Sequence, residues 1–343
     1  MRRGSQVRAV AAIAALALVT SCAKGGAADD AEPVTFDTAT PSASTPASAP
    51  PAAPVDPATV LPLTGAAGKD PAIRTRSALA AVLRFSPTGS PALGLDRADI
   101  VYQQPGKGSE SRLVALYHSQ DAAKVGPIGT TQPSDVALLS LVHPVYVHAG
   151  GADRFLRQLA GSGLAQLTPG SAGSAFTSVS GSFYGTTTTL RKVAPAGAGR
   201  PLQLLAYGDP GQPLAEASVT KISSVTVTVP GKPAQVWKRD AAGGWVQSGA
   251  GAPRVRVTNL LIPQTVYRDL RADKAGTFVA EVNVFGKGPL SAVSGDQLVK
   301  GTWSRATKKS SANYADSSGV PLRLAPGVTW VLMAPAGTTV AGT

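Results

Sequence analysis

Residues 23–57 contain almost nothing that a folded core could use. Ala, Pro, Ser and Thr dominate, as in Thr38-Ala39-Thr40-Pro41-Ser42, and Phe36 is the one aromatic side chain. A segment of this kind cannot bury enough apolar surface to offset the entropy of ordering it. Folding is therefore assigned to the chain after Pro57, and residues 23–57 read as a tether with an r.m.s. span of roughly 30–35 Å. The chain is 343 residues long and 43% apolar, which suits one large or two ordinary folded units.

The segment ahead of the tether reads as an export signal. Arg2, Arg3 and Arg8 form a positive n-region, and Ala9 to Thr20 is a short run of Ala, Val, Leu and Ile. That run is too short to span a bilayer and has the flanks of a secretory signal. It ends Val19-Thr20-Ser21-Cys22, and Cys22 is the chain's single cysteine. The string resembles a bacterial lipobox, in which small residues admit the peptidase and the thiol carries the lipid. Residues 1–21 are then a lipoprotein signal peptide, and residues 22–57 a lipidated Cys22 with its tether. Two acyl chains, palmitate-like in length, give stable attachment where one is marginal. The expected address is the cell membrane, with the protein facing the outside of the cytoplasm. One cysteine also excludes a disulfide framework and any cysteine-rich zinc site.

From Val60 onward the texture is that of a globular protein. Asp99–Tyr102, Arg112–Tyr117 and Val145–Val147 read as short strands bounded by Gly, Pro and Ser. Ala78–Leu83 is apolar throughout and fits either a helix or a buried strand. Pro133 with Asp135 behind it marks a helix start, running through Leu141, with Pro144 as its stop. Asp153–Ala160 has helical spacing, and Thr186–Val193 reads as one further helix. Beyond Glu216 the pattern turns to strand alternation. Val225, Val227 and Val229 alternate with Thr226 and Thr228, and Val236–Arg239 and Gly244–Gln247 flank a hairpin turn. All four tryptophans lie in this second half, where packing on a sheet accounts for them. The expected fold class is α+β: a mixed α/β module over 58–210, then a mostly antiparallel β module over 211–337.

The charge is uneven along the chain. The formal net charge is +12, yet residues 22–57 hold Lys24 against five acids, and the chain after Pro57 holds 28 basic and 15 acidic residues. The basic residues are scattered, with no block or aromatic motif of a nucleic-acid binder, so no nucleic-acid partner is expected. A basic head on an exported anchor favours anionic lipid headgroups or wall polymers instead. A protein partner is left unidentified.

Few residues offer chemistry. His118, His143 and His148 form no HExxH or paired-histidine spacing, so neither a metal nor a cofactor is expected. His148 follows a strand and precedes Gly150 and Gly151, glycines that either admit a ligand close to the backbone or simply turn the chain. Glu110 and Arg112 stand two apart at a strand start and so face one side. They form either a pocket with His148 for a carboxylate or phosphate, with Arg112 as the bidentate donor, or a structural ion pair.

Several strings together resemble the YerB-like family of bacterial lipoproteins, whose domain is of unknown function. They are Leu61-Pro62-Leu63-Thr64-Gly65, Asp96–Tyr102, Val125-Gly126-Pro127-Ile128, Tyr146–Gly151, Lys300-Gly301-Thr302-Trp303 and Leu324–Trp330. The resemblance spans about 60–335 and implies a two-part organisation but no established reaction. Three places depart from the family pattern. Ser111-Arg112 stands for a Thr-Arg pair, Gly129–Gln132 lacks arginines the family tends to carry, and Ser180–Tyr184 replaces a Pro-His-Asn-type segment. The favoured expectation is a non-enzymatic binding or scaffolding protein of the envelope. The alternative is an envelope hydrolase or transferase, with Glu110 as acid/base and His148 and Arg112 positioning a cell-wall substrate.

Overall fold

The structure is a computed structural model that describes residues 59–343 apart from 90, 107–108, 210–211, 213, 215–218, 273–275 and 277. Cys22, the signal segment and the tether lie outside the described residues.

A twelve-stranded mixed sheet organises the chain. From one edge, its main path runs Asn313–Asp316, Gln297–Arg305, Gly286–Ser294, Asn259–Thr265, Thr329–Leu332, Ile100–Pro105, Ser111–Tyr117, Leu79–Phe85, Val145–Val147 and Ala165–Leu167. Strands from both sides of residue 210 share this one sheet. The joint is Thr329–Leu332, which runs parallel to Ile100–Pro105 on one side and to Asn259–Thr265 on the other. The C-terminal part is mostly antiparallel, as expected, with Asn259–Thr265 also pairing parallel to Thr329–Leu332 and Ala334–Pro335. The fold as a whole is β-rich with four short α-helices among the described residues. A second sheet of five strands includes the anticipated hairpin, Gln235–Arg239 paired antiparallel with Trp245–Ser248.

Two cores sandwich the large sheet. Along Leu79–Phe85, Leu79, Ala81, Leu83 and Phe85 enter one core together with Val225, Val227, Trp237 and Trp245 of the second sheet. Ala80 and Val82 point the other way, into a core with Leu138, Leu139 and Leu159 of the helices. Period-two side chains with both faces covered leave no polar alternation to read. That is why Ala78–Leu83 fitted a helix as well as a strand, and the structure settles it as a central strand. All four tryptophans are buried, as sheet packing requires.

The Pro133–Leu139 helix starts where expected and ends two residues early, at a turn in which Val142 and His143 donate backbone N–H groups to Leu139 O. Asp153–Ala160 forms as expected, and the last helix is Thr187–Lys192. Among the described residues no helix is long and apolar enough to cross a membrane.

Candidate functional site

A cleft of about 410 Å³ opens at the ends of the central strands. Arg84 comes from Leu79–Phe85, Ser111 and Arg112 from the next strand, Thr130 from the loop before the Pro133–Leu139 helix, and Ser182 from a hairpin. Glu110 is exposed and also lines it. The three segments that depart from the family pattern converge here, since Ser111, Gly129, Thr130 and Ser182 are all lining residues.

Arg84 and Arg112 are direct cross-strand partners, so two guanidinium groups share one face. Like charges so placed repel, and the two residues resolve the conflict differently. Arg112 is neutralised. Its Nη1 donates to Asp135 Oδ1 at 2.8 Å and to Gln104 Oε1 at 3.1 Å. Nη2 donates to Asp135 Oδ2 and to Thr130 O, and Nε also reaches Thr130 O at 3.2 Å. A guanidinium has five N–H groups, and these contacts use all five. The ion-pair partner that sequence reading sought in Glu110 is therefore Asp135, and no donor of Arg112 is left over for a ligand. Arg84 by contrast is exposed, and its Nη2 donates to Ser182 Oγ at 2.9 Å. It is the cation that the cleft presents to solvent.

Asp135 is fully buried and saturated. Besides Arg112, its Oδ2 accepts from Gln132 N at 2.8 Å, Tyr146 Oη at 2.5 Å and Thr131 Oγ1 at 3.3 Å. Burial and the Asp135 charge push the Tyr146 phenol well above its usual range, which keeps its proton available for this bond. For Arg112, burial works against the charge, and Asp135 more than restores it.

His148 does not line the cleft. It is buried, with its ring stacked on Tyr146 at 5.2 Å between centroids. Gly150 N donates to Nδ1 at 3.2 Å, and Nε2 faces Gln166 Oε1 at 3.4 Å. Burial holds the imidazole below its usual pKa, so it is neutral at pH 7. Gly150 has φ +90° with open space around a would-be Cβ, whereas a Cβ on Gly151 would meet Thr131 Cγ2 at 2.7 Å. The two glycines thus serve the turn and the close packing of the loop on Thr131. Arg112 and His148 belong to one buried network through Asp135 and Tyr146, and Glu110 stands outside it at the cleft.

Sequence reading missed Arg84, Asp135 and Tyr146. Asp135 was visible only as a first-turn acid of a helix, a position that explains itself. The one available signal was the i, i+2 pair Tyr146 and His148, which a strand places on one face. Two further buried groups have perturbed ionisation: Glu281, which sequence reading did not single out, and His118, which it considered only as a metal ligand. Glu281 is raised to about 7, by burial first and the Asp135 charge second. His118 is lowered to about 4, by burial first and then the charges of Arg76 and Arg191.

A β-rich α+β fold of this kind matches a defined class. Residues 63–197 match the protein of unknown function (DUF3048) N-terminal domain, and residues 232–331 match the DUF3048 C-terminal domain. The chain belongs to this YerB-like family. It is 31% identical over 98 residues to the protein named "Putative lipoprotein YerB" of Bacillus subtilis (strain 168), a match covering 29% of each chain. The crystal structure of YerB protein from Bacillus subtilis has the same fold, with a TM-score of 0.65 at 19% identity, covering 82% of this chain and 98% of that one.

Proposed function

We propose that this chain is a lipid-anchored envelope protein, held outside the cytoplasm through Cys22, whose head binds an anionic envelope component in the Arg84 cleft. The observation that carries the reading is the contrast across the cleft wall. Arg112 is spent on Asp135, while Arg84 turns its guanidinium to solvent among the hydroxyls of Ser182, Ser111 and Thr130. A guanidinium fork with nearby hydroxyl donors suits a phosphate oxygen pair. Glu110 beside it accepts hydrogen bonds, which favours a phosphate carried next to free hydroxyl groups, as in glycerol phosphate. That chemistry occurs on lipid headgroups and on wall polymers alike. The excess of basic residues after Pro57 adds diffuse attraction to either surface.

The test uses unacylated protein (Cys22→Ser), so that the anchor does not itself bind membranes. It is titrated with poly(glycerol phosphate) and, separately, with phosphatidylglycerol vesicles across a salt series. The expected result is binding that weakens with salt, drops at least fivefold in Arg84→Ala and tightens in Glu110→Gln. Preference for one probe names the source. Equal binding by Arg84→Ala, or none to either probe, overturns the proposal.

A further inference from the structure

A second cavity of about 390 Å³ lies between the Pro133–Leu139 helix and the hairpin formed by Tyr267–Arg271 and Phe278–Val282. Small-molecule sites run from roughly 300 to 1,000 Å³. Its polar groups are arranged unlike those of the cleft. Glu281 is only 4% exposed and Ser134 only 5%. Glu281 Oε2 and Ser134 Oγ are both buried without a hydrogen bond of good geometry among the described residues, although the Ser134 hydroxyl and backbone N–H stand close enough to Glu281 to lower its carboxyl. Native proteins rarely leave such groups unmet, and an orphan pair commonly marks a missing ligand, ion or water. At the rim stand two exposed cations, Arg268 and Lys308. Arg268 is the cross-strand partner of Glu281 and shares its face of the hairpin.

The chemistry of the occupant is set by this polarity. The floor offers two acceptors, one a carboxyl, to a group rich in donors. An ammonium group carries three N–H donors and no acceptor, so it satisfies both orphans at once. A simple amine would have to pass two cations to reach them, whereas a zwitterion sets its own carboxylate against that rim. We propose that this cavity binds a free α-amino acid, its ammonium donating to Glu281 Oε2 and Ser134 Oγ and its carboxylate facing Arg268 and Lys308.

The ionisation of Glu281 gives the site a signature. Burial, with the Asp135 charge behind it, raises the carboxyl to about 7, while Ser134 and Arg112 pull it down. Asp135 and Arg112 face it from the helix side, and Arg268 and Lys308 from the rim. An incoming ammonium favours the carboxylate, so binding expels a proton from the fraction of sites still protonated. Affinity therefore rises with pH, by about tenfold from pH 6 to pH 8 for a group titrating near 7.

Calorimetric titration of the whole protein with L-alanine and D-alanine at pH 6 and pH 8 tests this, with ethylammonium and propionate as half-ligands. Alanine is expected to bind about tenfold tighter at pH 8, and each half-ligand at least tenfold more weakly than alanine. Glu281→Gln is expected to lose the pH dependence and at least tenfold in affinity. Arg268→Ala, an exposed change that spares the fold, is expected to weaken alanine while leaving ethylammonium unchanged. Absence of alanine binding, propionate binding as well as alanine, or unaltered binding by Glu281→Gln overturns the proposal. None of these residues lines the Arg84 cleft, so either site can fail without the other.

Discussion

Asp135 and Glu281 are both buried acids beside the first turn of the Pro133–Leu139 helix. Asp135 receives five hydrogen bonds, two of them from a guanidinium. Glu281 keeps an orphan oxygen and borders a cavity. The difference lies in what the neighbouring strands supply. Ser111–Tyr117 and Val145–Val147 bring Arg112 and Tyr146 to Asp135, whereas the hairpin strand opposite Glu281 brings an arginine that stays at the surface. A saturated carboxylate is part of the scaffold, and an unsaturated one beside empty space is available for other work.

The largest expected effect comes from cutting the saturated side. Removing one partner of a buried ion pair leaves the other charge uncompensated, at a cost of about 3–5 kcal/mol. Arg112→Ala and Asp135→Ala should each lower the urea midpoint accordingly. Arg112→Met with Asp135→Leu should recover most of that loss, because the pair removed together strands no charge. Single losses below about 1 kcal/mol would show that the five contacts do not act as one network.

This network also marks how far the sequence could be read. The Pro133 helix start, the Val145–Val147 strand that carries Tyr146 and leads into His148, and the Trp237/Trp245 hairpin were legible because each writes its own period or turn. The partner of Arg112 was not. Asp135 lies 23 residues away, on a helix whose first turn accommodates an acid without further reason. The nearer Glu110 was the only candidate that spacing alone could offer. Leu79–Phe85 was ambiguous for the opposite reason, since burial on both faces erases the alternation that identifies a strand. Glu281 gave no signal. An acid within Phe278–Val282 reads as a solvent-facing residue, and only the helix laid over it makes it buried.

The middle-sized effects are in pH dependence, and the two perturbed groups act with opposite sign. Glu281 rises from its usual 4.5 to about 7 in the folded protein. Between those values the folded state holds a proton that the unfolded state has lost, so stability falls as pH climbs from 4.5 to 7. His118 drops from 6.5 to about 4. Between those values the unfolded state holds the extra proton, so stability falls as pH drops from 6.5 to 4. The two windows overlap from about 4.5 to 6.5 and partly cancel there. Glu281→Gln should therefore show stability rising with pH across the overlap, and His118→Gln stability falling with it. Urea titrations at half-unit pH steps measure both slopes. Parallel profiles for the two variants would mean that neither group carries its assigned shift.

The smallest stability effect should belong to Arg84. Arg84→Ala loses one exposed hydrogen bond to Ser182 and relieves the charge facing Arg112 across the strand pair. The two terms oppose each other, and the net change should stay within about 0.5 kcal/mol, the range of ordinary surface substitutions. Arg112→Ala, one rung across the same ladder, should cost several times that. The pair of variants therefore asks which arginine the fold needs and which is free to act. A loss above about 1 kcal/mol in Arg84→Ala, beyond the surface range, would make it scaffold like its neighbour, and the cleft would then have no uncommitted cation with which to hold an anion.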